Sequence, residues 1–262
     1  MWIRRKGYRV ADGTMDVCVL TLFPELFDPF WKHGIIRRAV QGQKINPMTI
    51  NIRDHAEGRH RVTDDRPYGG GCGMVMKPEP LTAALAEAKI GMPSATTLLL
   101  SPQGKRFDQV LAQSLASGDG LILVCGRYEG VDERFADQHV DGEISIGDFV
   151  LTGGELGAMV VIDAVARLIP GVLGNDDSAG SDTFCDGLVE HAHYTRPPIF
   201  NDEPVPDVLL SGNHQEIERW RRETALMRTV LKRPDLLAQR EFSPREKDIL
   251  GKWRRDIDRL IG

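Results

Sequence analysis

Three stretches of the chain join an apolar run to glycines: LLLSPQG (98–104), LILVCGRYEG (121–130) and ISIGDFVLTGGELG (144–157). A glycine has no Cβ, so the backbone can pass close to a ligand and offer it amides and carbonyls. Three such loops could hold a cofactor largely through main-chain groups. Any one of them alone also reads as an ordinary tight turn. Two common nucleotide sites are excluded. PYGGGCGMVMK (67–77) is rich in glycine but lacks the Gly-Lys-Ser/Thr of a phosphate-binding P-loop. The first apolar run, VCVLTLF (17–23), is followed by PELFDPF, with none of the glycines of a dinucleotide-binding turn.

The other reactive side chains are less patterned. Seven histidines include the pair His191 and His193, and His55 and His60 within an arginine-rich stretch. No carboxylate or cysteine is seen to complete a metal site around them, so no protein-ligated metal is assigned. The four cysteines, Cys18, Cys72, Cys125 and Cys185, form no CxxC pair and read as reduced thiols of a cytoplasmic protein.

The elements that must position these loops are short. VCVLTLF (17–23), MTINI (48–52), ATTLLLS (95–101) and LILVCG (121–126) read as buried strands. Helical patterns over 78–89 and 106–117 separate some of them, which indicates α/β architecture with a largely parallel sheet. In such sheets ligands sit outside the carboxyl ends of the strands, where the glycine loops fall. After IPGVLGN (169–175) the texture changes: DDSAGSD (176–182) is small, polar and acidic, and 214–233 is a charged helical segment. The expected organisation is an N-terminal extension (1–14), a ligand-binding domain (15–174), a linker (175–188) and a small helical domain (189–262).

The 262 residues are 41% hydrophobic and 27% charged, an ordinary globular composition without a membrane-length apolar run. The basic N-terminus has no apolar core and does not read as a secretory signal. A net charge of −5 argues weakly against a nucleic-acid partner. The distribution argues the other way: 13 Lys/Arg stand against 9 Asp/Glu from His214 onward, and 53–66 holds four Arg and two His. Local basic patches of this kind are compatible with RNA.

In order and spacing, DDRPYGGGCGM (64–74), LSPQG (100–104), CGRYEGVDER (125–134), SIGDFVLTGGELGAM (145–159), IPGVLG (169–174), HYTRPP (193–198) and LLSGNHQEIERWRR (209–222) resemble the bacterial tRNA (guanine-N1)-methyltransferases. The resemblance covers roughly residues 15–234. It implies the trefoil-knotted SPOUT fold, with S-adenosylmethionine held by the three glycine-bearing loops. Pro102, Gly104, Gly126, Tyr128, Ser145, Ile146, Gly147, Phe149, Leu151, Gly153 and Gly154 would line that pocket. The sequence departs from the family pattern at Gly157, where proline is frequent, and at Phe149, where tyrosine is common.

The reaction implied is methyl transfer to N1 of the guanosine at position 37 of tRNA, 3′ of the anticodon. The neutral base carries a proton on N1, and its loss moves negative charge onto O6, so a base and a nearby cation are the minimum equipment. By resemblance Asp182 is the base, Arg167 the cation, and Glu129 borders the methionine half of the cofactor and the target guanine. On its own residues Asp182 reads as a solvated carboxylate of a polar loop; the resemblance makes the linker a lid that orders over bound tRNA. Arg167 equally fits an ion pair with Asp163 one helical turn earlier, and Tyr128 equally fits plain ring packing. Trp220 reads either as a core anchor of a C-terminal helix, the favoured reading, or as a stacking surface, with the flanking arginines on phosphate. The resemblance also implies a homodimer in which one chain supplies the cofactor pocket and the other supplies Asp182. Magnesium is reported for the family, but the sequence shows no dedicated cage. The competing readings are a knotted methyltransferase acting elsewhere on RNA and a noncatalytic RNA-binding knot protein.

Overall fold

The computed structural model describes residues 13–173, 183–184, 186–238 and 240–261. It divides into two compact units, Met1–Asp176 and Asp177–Gly262.

The first unit is built on a five-stranded sheet. Its strands are β1 (Met15–Thr21), β2 (Ile45–Asn51), β5 (Thr96–Arg106), β6 (Gly120–Cys125) and β7 (Gly142–Ser145), in the order β2-β1-β6-β5-β7. All four pairings are parallel. Strands β3 (Asp64–Asp65) and β4 (Val75–Met76) form a separate antiparallel ribbon. Both faces of the sheet are covered, which explains the near-continuous apolar runs read in the sequence. Successive side chains alternate between two cores: Val17 and Val19 enter one, Cys18 and Leu20 the other. Strand β6 repeats this with Leu121 and Leu123 against Ile122 and Val124, all buried.

Helices α1 (Phe27–Lys32), α2 (Gly34–Gln41), α4 (Gln109–Ala116) and α6 (Glu155–Ala166) contribute to the first core. Helices α3 (Pro78–Gly91) and α5 (Glu133–His139) contribute to the second. Asp108 caps α4, its carboxylate accepting from the Leu111 amide at 2.8 Å, so that helix starts later than the sequence pattern suggests. Strand β2 also starts before its expected span and carries Pro47, which is tolerated because β2 is an edge.

The largest departure from the sequence reading lies in β5. The strand was expected to end at Ser101 and release SPQG as a terminal loop; instead it continues to Arg106. Leu100 pairs with Ile144 of β7, the chain leaves the ladder, and Lys105 pairs with Ile144 again. Residues 101–104 are thus an excursion between two contacts with one partner residue. Gly104 closes it: a Cβ there would collide with the Ile144 backbone.

The second unit contains a hairpin of β8 (Ile199–Phe200) and β9 (Glu203–Pro204), then α7 (Asp207–Leu210), α8 (His214–Lys232) and α9 (Pro244–Ile261). Asn201 and Asp202 both take positive φ in the two-residue turn, a conformation these residue types tolerate. The small apolar core of Leu188, Leu226 and Ile249 is supplemented by a charge cluster. Glu246, 1% exposed, accepts from Arg222 at 2.5 Å, from Arg240 at 2.9 Å and from the Ser243 amide at 2.8 Å. Burial alone would push this carboxyl up, but the Arg240 and Ser243 hydrogen bonds and the Arg222 charge outweigh it and bring it down to about 2.

A carboxyl held below its unfolded value stabilises the fold above that value and loses the contribution as pH falls towards the folded one. Glu246→Gln is therefore expected to cost roughly 2–3 kcal/mol near neutral pH. In denaturant titrations the gap between wild type and variant should narrow as pH falls below the ordinary glutamate range, about 4.3. A gap independent of pH would assign the cost to packing rather than charge.

Candidate functional site

The sheet order brings the three glycine stretches together. Strands β6, β5 and β7 are neighbours, so the excursion at 101–104 and the loops after β6 and β7 meet at one end of the sheet. They enclose a cavity of about 310 Å³, at the small end of the range for small-molecule sites. Pro102 lines it from the excursion, and Gly126, Tyr128 and Glu129 from the loop after β6. Ser145, Ile146, Gly147, Phe149, Leu151, Gly153 and Gly154 line it from β7 and its loop. Gly104 does not face the cavity; its close approach is to β7. Arg167 does not line the cavity either: it is exposed just past the end of α6. Asp182 lies outside the described residues.

A buried ion pair fastens these parts. Glu155, 2% exposed, opens α6 and accepts from Thr21 Oγ1 at the end of β1, at 2.8 Å. Arg127, in the loop after β6, reaches the same carboxylate with Nε at 3.2 Å and Nη2 at 3.0 Å. Its Nη1 donates to the Thr152 carbonyl at 3.3 Å, and its guanidinium lies 4.4 Å from the Phe23 ring centroid. The carboxylate stands in the first turn of a helix, where the backbone dipole favours it. Behind the pair the backbones almost touch. Gly154 donates to the Gly126 carbonyl at 2.9 Å, and a Cβ on Gly154 would lie 2.8 Å from Cys125 Cα.

The loop after β6 is also tied to the glycine-rich segment at 69–73. The Glu129 amide donates to the Met74 carbonyl and the Met76 amide to the Gly130 carbonyl, at 3.0 and 2.9 Å. The Glu129 side chain lies against Gly73, which has a φ of +83° and no space for a Cβ. Between these ties Tyr128 is held at a φ of +60° with its ring half exposed. For an aromatic residue that conformation costs about 1–3 kcal/mol and persists only where the surroundings impose it. Burial, then the Glu155 charge, pushes the Cys125 thiol well above its usual range despite Arg127.

Sequence reading missed Arg127 and Glu155. The available signal was a lone glutamate inside the apolar run GELGAMVVI, since a buried carboxylate requires a partner. Three further readings change in the second unit. Trp220 is not a core anchor; it is half buried, with its ring 6.2 Å from Tyr194 and 6.4 Å from His191. Arg222 is not available for phosphate, because it is committed to Asp186 and Glu246. A carboxylate does stand beside the HxH pair: Glu190 lies 3.1 Å from His193 Nε2. In the first unit the basic stretch at 53–66 is partly self-paired, Arg61 bonding Asp54 at 2.6 Å.

Residues 15–239 match the family described as tRNA (guanine-1)-methyltransferase TrmD. The chain belongs to this family. A protein of Geobacter sulfurreducens named tRNA (guanine-N(1)-)-methyltransferase is 56% identical over 242 residues, 92% of this chain and 99% of its own. Proteins of the same name from Geotalea uraniireducens and Desulfatibacillum aliphaticivorans are 54% and 53% identical, over 92% and 94% of this chain and 98% and 94% of their own. The family match begins at Met15, the first residue of β1. Among the described residues no helix is long and apolar enough to cross a membrane.

Glu155→Ala would leave Arg127 partly buried without its counter-charge, and losses of this kind run to about 3–5 kcal/mol. Thermal unfolding should show a large drop in midpoint. Arg127→Lys should fall between, because an ammonium cannot make the paired bonds or stack flat on Phe23. A midpoint unchanged in Glu155→Ala would mean that the pair does not secure the loops.

Proposed function

We propose that the chain transfers a methyl group from S-adenosylmethionine to N1 of guanosine 37 in tRNA, and that it works as a homodimer around a trefoil-knotted cofactor site. The observation that carries this reading is the cavity formed by three adjacent strand-end segments, in a chain of this family. Its chemistry fits the cofactor. Ile146, Phe149 and Leu151 offer an apolar surface for adenine, and the loop backbones supply directional polar groups. Glu129, Glu133 and Glu143 also line it, and their negative charge suits a ligand carrying a sulfonium and an ammonium. When bound, the cofactor supplies an activated methyl group, so no covalent enzyme intermediate is needed.

The chain's own residues then have three tasks. Glu129 and Tyr128 border the space where the methyl-bearing end and the guanine would meet. Asp182 accepts the N1 proton. Arg167 balances the charge that develops on O6.

The place of Arg167 supports a dimer. Twelve residues of α6 separate it from the cavity loop, about 18 Å at 1.5 Å per residue, too far for its side chain to return. A second copy can bring that end of α6 to the neighbouring cavity. The outer line of α6 suits such a contact: Leu156 and Val160 are 59% and 48% exposed, and they fall in helical register with Asp163 and Arg167. The basic excess of the second unit, and Arg221 on the exposed side of α8, provide charge for tRNA. Magnesium finds no dedicated ligand set of oxygens in the described cavity, and no step is assigned to it.

Transcripts of one tRNA that differ only at position 37 test the reaction: methyl incorporation is expected with guanosine and lost with adenosine. Asp182→Ala should abolish transfer yet leave S-adenosylmethionine affinity, read by calorimetry, within a few fold. A large loss of cofactor affinity would remove Asp182 from the base role.

Shared construction of the site has its own test. Asp182→Ala and Gly153→Val homodimers should each be inactive, the second because a side chain at 153 would strike Arg127 and Glu155. A heterodimer isolated through two different tags should recover up to about half of wild-type activity, since one of its two sites carries neither lesion. A folded heterodimer without activity would overturn the composite site.

A further inference from the structure

We propose that Glu190, His191 and His193, residues of the second unit that do not line the cofactor cavity, form a binding site for a divalent transition-metal ion of the zinc, cobalt or nickel type. One ligand atom from each of the three residues can be chosen so that all lie within 4.8 Å of one another. A metal with bonds of about 2.0–2.1 Å holds ligand atoms a little over 3 Å apart. The Glu190 to His193 separation, 3.1 Å, already meets that, and the imidazole of His191 has only a short distance to close. The two rings stand 4.4 Å apart at 47°, neither stacked flat nor turned away.

The scaffold behind the site is ordered by specific bonds. Thr183 Oγ1 accepts from the Glu190 amide at 3.1 Å, and Arg228 Nε donates to the Glu190 carbonyl at 3.1 Å. One residue earlier, the Val189 amide donates to Thr229 Oγ1 at 2.9 Å, and Thr229 is fully buried on α8. The Trp220 ring meets His191 edge-on, at 83°, and limits where that imidazole can go. The backbone at the first ligand, Glu190, is therefore tied to Thr183 and to α8 before any ion arrives.

The donor set selects the class of ion. Two imidazole nitrogens with one carboxylate suit zinc, cobalt, nickel or copper, whereas magnesium and calcium prefer oxygen ligands. Among the described residues three protein ligands are at hand, which leaves at least one position to water. His193 is largely exposed and Glu190 a third exposed, so an ion has an open route in. The absence of thiolate from the set distinguishes the site from a closed structural zinc centre.

The test uses the full chain with every affinity tag removed, stripped with a chelator and titrated with zinc chloride by calorimetry. One equivalent is expected to bind, and cobalt should give the visible d–d bands of a bound ion. His191→Asn and Glu190→Gln should each weaken binding roughly tenfold or more. Cys72→Ser, which removes the exposed thiol among the described residues, should leave it unchanged. Zinc should also raise the thermal midpoint of the wild type more than that of His191→Asn, because an ion that binds only the folded state stabilises it by mass action. This comparison holds even if a variant is less stable at the start. No binding to the wild type at micromolar zinc, or undiminished binding in both ligand variants, would overturn the site. Loss of binding in Cys72→Ser would also do so, by placing the ion on the thiol.

Discussion

A single carboxylate, that of Glu155, holds the cavity's walls in register. It receives one bond from the end of β1 and two from the loop after β6, and it belongs to the first turn of the helix that follows the third loop. These segments are distant in sequence; their main chains meet in an isolated bridge between Arg127 and Gly153 just beyond the end of the β1–β6 ladder, and the carboxylate adds a side-chain tie there. The low polarity of the surroundings makes the arrangement demanding. A buried charge without its partner costs several kcal/mol, so loops that drift apart pay twice, in lost attraction and in exposed desolvation. Arg127 suits this corner because its planar group can pair through two nitrogens and still lie flat on Phe23.

The same logic governs the second unit at smaller scale. Its apolar core is slight, and Glu246 joins α8, α9 and the segment between them by accepting from two arginines and a backbone amide. In both units a glutamate near a helix start gathers arginine from elsewhere in the chain. The geometry differs in consequence: Glu155 secures loops that leave a cavity open, whereas Glu246 fills the space it occupies.

Much of the architecture was legible. Apolar runs at 17–23, 95–101 and 121–126 named three strands because central parallel strands are buried on both faces and cannot hide their composition. The glycine stretches come together around one cavity, because their strands are neighbours in the sheet. What stayed hidden depends on contacts far apart in sequence. The return of β5 to Ile144 requires β7 as a partner, and SPQG by itself says only turn. Gly104 looked like a ligand glycine for the same reason; its constraint comes from another strand's backbone. Glu190 was overlooked beside HxH because i and i+3 neighbours on a non-helical segment have no fixed spacing to read. The catalytic tasks of Asp182 and Arg167 were never in the spacing, and rest on the family's chemistry.

The position of β5 carries a cost during synthesis. Both strands that flank it, β6 and β7, follow it in the chain. A ribosome adds about 5–20 residues per second, so for about a second or more the run ATTLLL emerges before either strand that will flank it. The sheet cannot zip from its N-terminal end; β1 and β2 can pair early, but the middle must stay open until residue 125 has been made. The fold thereby trades fast, local assembly for a strand enclosed on both sides, and the nascent chain is expected to need shielding of that segment until its partners have been made.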